Sequence, residues 1–123
     1  SDYALYLRGL INFNENQTLF SSITGEDMAE RDAEAGRIAF ASFKRLIKNF
    51  PETPYREDAL FFLFDSSYKL AINSIPSLKI KRLEDAKKIY TEFIIDYPES
   101  EYSNDAEKKI LNIDKEISIF AGT

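Results

Sequence analysis

The stretch AFASFKRLIKNFPETPYREDA, residues 39–59, returns 47 positions later as AKKIYTEFIIDYPESEYSNDA, residues 86–106. Nine positions carry the echo: Ala39, Phe43, Ile47, Phe50, Pro51, Glu52, Tyr55, Asp58 and Ala59 become Ala86, Tyr90, Ile94, Tyr97, Pro98, Glu99, Tyr102, Asp105 and Ala106. Seven of the nine pairs are identical and two exchange one aromatic for another, which marks an internal repeat. A fainter third copy sets Ala4-Leu5-Tyr6-Leu7 against Ala59-Leu60-Phe61-Phe62, so the chain begins within the first helix of a unit.

Each copy reads as helix, turn, helix. Phe43, Leu46, Ile47 and Phe50 recur at helical spacing, as do Leu83, Ala86, Tyr90, Phe93, Ile94 and Tyr97. These aromatics are expected to pack between helices. Pro51 and Pro98 cannot continue a helix and push Phe50 and Tyr97 out of the helical region, so each ends its helix in a tight turn. Thr53 and Ser100 then suit helix N-caps, with Glu57, Asp58, Glu101 and Asp105 near the positive ends of the helices that follow. Asp32 reads as the cap of the helix before Pro51. Tyr102, Ala106, Ile110, Ile113, Ile117 and Phe120 form one apolar stripe with Lys108, Lys109, Lys115 and Glu116 left for water, the pattern of a terminal capping helix. Ala59 to Phe64 is apolar on every side, as in a helix packed between neighbours.

Five helices are therefore expected at about 2–14, 32–50, 54–73, 82–97 and 101–120, with no strand: an all-α array in one domain over 1–123. The domain divides into a partial first repeat (1–50), a second repeat (54–97) and the terminal helix. Two connections are expected as long loops, Asn14 to Arg31 and Asn73 to Lys81, the second containing Pro76.

Composition narrows the chemistry. The chain has 123 residues, 16 Lys+Arg against 21 Asp+Glu, a formal charge of −5, and neither His, Cys nor Trp. That removes the usual zinc ligands, Cys and His nucleophiles and bases, thiol redox chemistry and haem ligation through His or Cys. The acidic balance opposes a phosphate-backbone binder, so nucleic acid is not an expected partner. No apolar stretch approaches the roughly 20 residues of a membrane-spanning helix, and without cysteine the compartment stays open. The opening Ser1-Asp2-Tyr3-Ala4 lacks an initiator Met or leader and reads as a cut. No nucleophile stands beside a base, and the acidic residues Glu26, Asp27, Glu30, Asp32 and Glu34 lack the alternating oxygens and central glycine of a calcium loop, so they read as solvated loop. No catalytic, metal or cofactor site is expected.

Ala39, Phe43 and Pro51, matched by Ala86, Tyr90 and Pro98, resemble the second helix of a tetratricopeptide repeat: alanine lets two helices approach, the aromatic fills the groove and proline stops the helix. The period of 47 exceeds the usual 34 or so of that repeat. Residues Tyr3 to Leu10, the acidic insert ending Glu30-Arg31-Asp32, Ala39 to Leu46 and Pro51 to Ala59 together resemble the middle repeats of the BamD family. That resemblance implies a non-catalytic scaffold on the periplasmic face of the outer membrane, binding the barrel-assembly protein BamA and helping to recruit nascent β-barrels. Family members are anchored through an acylated N-terminal cysteine, which would here lie upstream of Ser1. The Tyr-Pro and Asp-Ala signatures are also shared with periplasmic adaptors of the TolA-binding coordinator family, the alternative reading.

Two groups are candidate partner contacts. Tyr6 and Arg8 either line the concave face of the array or cover an edge. Lys81, Arg82, Lys87 and Lys88, with Lys79, form a basic run that either meets an anionic partner or headgroup or is a solvated face.

Overall fold

In the computed structural model, backbone is described for residues 1–21 and 26–122, and side chains for those residues outside 16–33. Five helices follow one another: α1 (Asp2–Ser21), α2 (Glu26–Asn49), α3 (Arg56–Ile72), α4 (Pro76–Asp96) and α5 (Ser103–Ala121). No strand occurs among the described residues. The chain is all-α, and it divides into two compact units, Ser1–Ser66 and Ser67–Thr123.

The 47-residue echo is reproduced bond for bond at the turns. The N–H groups of Phe50 and Tyr97 donate to the carbonyls of Leu46 and Phe93, both at 2.8 Å, closing the helices before the prolines. Thr53 N–H then donates to Phe50 O (3.0 Å) and Ser100 N–H to Tyr97 O (3.2 Å). Arg56 and Ser103 reach back three residues to the carbonyls of Thr53 and Ser100, and Ala59 and Ala106 reach back four to Tyr55 and Tyr102. The expected caps act two residues ahead: Tyr55 N–H donates to Thr53 Oγ1 (3.3 Å) and Tyr102 N–H to Ser100 Oγ (3.1 Å). One tight turn thus precedes regular α bonding, so α3 and α5 begin at 56 and 103, two residues beyond the expected starts.

Three expectations are corrected. The stretch from Asn14 to Arg31 is not one long loop, since α1 continues to Ser21 and α2 begins at Glu26; residues 22–25 lie outside the described residues. Asp32 is inside α2, not its cap, and Glu26, Asp27, Glu30, Asp32 and Glu34 are helical. Glu, Ala, Met and Arg are strong helix formers, and a helix can run on through them without an apolar stripe. The loop expected up to Lys81 is also mostly helix: Pro76 opens α4, its missing N–H costing nothing at the first helical position, after an extended Ile75 whose carbonyl accepts from Leu78 and Lys79.

Unit 1 packs α1 against α2 with the start of α3. Ala35, Ala39, Phe43 and Leu46 form the buried stripe of α2. The Phe43 ring lies 5.6 Å from that of Phe62 and 6.4 Å, edge-on, from that of Phe13. Gly9 of α1 faces the same ring, so closely that a Cβ there would sit 2.5 Å from it. α3 is buried from Ala59 to Phe64 except at Phe62, as its apolar run implied, and the burial continues through the polar Asp65, Ser66 and Ser67.

In unit 2, α4 packs on α5 through Leu83, Ala86 and Phe93 and through Ala106, Ile110 and Ile113. Phe50 departs from its expected burial: at the end of its helix it is 36% exposed. Tyr90 and Tyr97 are half-buried.

Candidate functional site

Tyr6 belongs to a clasp that ties the start of α1 to the turn after Pro51. Its hydroxyl donates to Asp58 Oδ2 at 2.9 Å, and its ring stacks on Tyr55 with centroids 4.5 Å apart and planes 10° from parallel. Tyr3 leans on the same Tyr55 at 6.0 Å. Thr53 Oγ1 donates to Asp2 Oδ2 (2.9 Å) while accepting from Tyr55, so this buried hydroxyl is satisfied in both senses. Partial burial, then the hydrogen bond and negative charge of Asp58, push the Tyr6 hydroxyl up to about 12.

The direction fixes a pH effect. Because Tyr6 holds its proton more tightly folded than unfolded, its contribution is complete below about pH 10 and is lost as pH rises toward 12. Tyr6→Phe is expected to lower stability at neutral pH by about 0.5–1.5 kcal/mol and to remove that part of the alkaline decline. Urea titrations at pH 7 and pH 11 check both; equal losses at the two values would exclude the linkage.

Arg8 goes elsewhere. With Leu5 it forms one wall of a cleft of about 390 Å³, whose other wall is the α2 stripe Glu34, Arg37, Ile38, Ala41, Ser42 and Arg45. The three arginines are exposed, Ser42 is buried, and Leu5 and Ile38 are half-buried. None of the three guanidinium groups forms an ion pair among the described residues. In a chain of net charge −5, this cleft gathers three cations against one carboxylate. Neither Arg37 nor Arg45 was singled out by sequence as a partner contact. Their shared face was readable from helical spacing, but the wall opposite lies some thirty residues earlier.

The basic run does not converge. Lys87 Nζ reaches Asp114 of α5 at 2.7 Å, Lys81 pairs with Asp85 one turn on at 3.4 Å, and Arg82 Nη1 donates to Ser74 Oγ at 2.8 Å. Lys79 pairs with Glu116 at 3.4 Å and lies over the Phe120 ring. Lys88 is exposed on α4. The acids of α5 thus answer much of the charge that the sequence presents as a cluster.

Among the described residues no group of acids is arranged to hold a metal ion, and no helix is long and apolar enough to cross a membrane.

Two family models described as tetratricopeptide repeat match the chain, over residues 1–63 and 65–100. Similar curated proteins bear the name outer membrane protein assembly factor BamD. That of Neisseria gonorrhoeae is 45% identical over 58 residues, covering 47% of this chain and 22% of the relative. That of Vibrio cholerae is 36% identical over 70 residues, 57% of this chain and 29% of the relative. That of Pasteurella multocida is 33% identical over 85 residues, 69% of this chain and 33% of the relative. The matched region thus spans about a fifth to a third of the length of these relatives.

Proposed function

For a chain that belongs to the tetratricopeptide-repeat family, and within it to the BamD family, we propose a non-catalytic docking role in the assembly of outer-membrane proteins. The observation that carries this reading is the pair of turns, 47 residues apart, held by the same hydrogen bonds. Repeated helical hairpins of this kind present a stiff, extended surface, and such surfaces bind segments of other proteins without needing reactive groups. The name the relatives bear, outer membrane protein assembly factor, supplies the process.

On this reading the parent protein works at the periplasmic face of the outer membrane, held there by a lipid anchor outside this chain. Its partners are a BamA-type barrel protein and nascent outer-membrane proteins. Tyr6, with its clasp, keeps α1 in register, Arg8 faces the partner, and Lys81, Arg82, Lys87 and Lys88 are secondary contacts.

The test is co-purification of the tagged parent protein from detergent-solubilised cell envelopes. A stoichiometric barrel protein with periplasmic POTRA domains is the expected result. A different envelope protein in its place would move the function to an adaptor of the TolA-binding coordinator type and leave the repeat fold standing.

A further inference from the structure

We propose that the cleft between α1 and α2 holds an extended acidic segment of a protein partner, with an aliphatic side chain between two carboxylates. The inference rests on the docking role above and adds the chemistry of what is docked.

Charge gives the first half of the argument. Arg8, Arg37 and Arg45 line one cleft and are not answered by ion pairs among the described residues, while Glu34 alone lines it with the opposite sign. Guanidinium groups bind carboxylates through paired N–H donors, and a cleft with two net positive charges favours a partner that brings two negative ones.

Spacing gives the second half. Arg37 and Arg45 are eight residues apart on one helical stripe, which puts them roughly 12 Å apart along the axis. An extended chain advances about 3.3 Å per residue, so carboxylates about four residues apart reach both arginines. In an extended chain residues i, i+2 and i+4 share a face. The middle residue therefore lies over Ala41, with Ile38 and Leu5 beside it, where an aliphatic group is better placed than a charge. The recognised pattern is acid, any, aliphatic, any, acid.

The experiment titrates the intact chain into a fluorescein-labelled peptide, Ser-Glu-Ser-Leu-Ser-Glu-Ser, at low salt and reads anisotropy. Binding is expected, with at least tenfold loss when both Glu are replaced by Gln. A similar loss is expected when one Glu is moved by one position, onto the opposite face. The Arg37→Gln/Arg45→Gln double variant should lose at least tenfold while its melting curve is unchanged, because both side chains are exposed. Equal binding of the Glu and Gln peptides, or unchanged affinity in the double variant, overturns the proposal. So does displacement of the peptide by inorganic phosphate at matched ionic strength, which would mark a simple anion site. Self-association that this variant abolishes, without peptide binding, makes a second copy the occupant and overturns it too. Co-purification judges the docking role separately: a partner retained by the double variant leaves that role intact while the cleft fails.

Discussion

Replacing Phe43 by alanine is expected to lower the stability of the chain by about 3–5 kcal/mol, the range for removing a fully buried phenylalanine. The side chain has no exposed surface, and its ring meets Phe13, Phe62 and the Gly9 backbone at once. Those neighbours come from the two other helices of the unit, α1 and α3, so no single helix can shift inward to fill the space. With a urea slope of about 2 kcal/mol per molar, the midpoint should fall by roughly 1.5–2.5 M. Far-UV circular dichroism during urea titration reads this directly. A midpoint that moves by less than half that would mean the ring is not at the centre of unit 1.

Gly9→Leu should destabilise from the other side of the same contact. The first added carbon would lie 2.5, 2.7 and 2.8 Å from three atoms of the Phe43 ring, closer than such carbons are ever found. Phe43 is hemmed in and cannot retreat, so the overpacking cost sits near the top of its usual range, about 3 kcal/mol. Replacing glycine within a helix returns up to about 1 kcal/mol of propensity. Overpacking wins, leaving a net loss of about 2 kcal/mol. The double variant Gly9→Leu/Phe43→Ala distinguishes contact from coincidence, because the leucine then enters space the ring has left. Its cost should fall short of the summed single losses by about 1–3 kcal/mol. Additive losses would separate the two residues and break the α1–α2 register described above.

Much of this fold was legible because its signals are local. Pro51 and Pro98 stop helices by steric exclusion, Thr53 and Ser100 catch the chain two residues later, and Ala39 and Ala86 have no exposed surface at positions where only a small side chain suits a close helix crossing. The errors were local too, but of a different kind. Glu26 to Asp32 was read as loop because it has no apolar stripe, yet helix formers need no stripe to extend a helix already started. Pro76 was read as a loop residue, although the same ring that breaks a helix interior is well suited to its first position.

The candidate site divides along the same line. Tyr6 and Arg8 stand two residues apart, but successive side chains on a helix diverge by about 100°, so one enters a hydrogen-bonded clasp and the other a cleft. The sequence by itself determined the all-α class, the helix stops before Pro51 and Pro98, the 47-residue period and the lack of His and Cys side chains, since these depend on residue type and near neighbours. Only the tertiary structure decided which charges are met by an ion pair among the described residues. Lys87 and Lys79 are met by Asp114 and Glu116 of another helix, whereas Arg8, Arg37 and Arg45 converge with a single carboxylate among them. Charge at a point is a sum over neighbours in space, and the pairing of helices sets who those neighbours are.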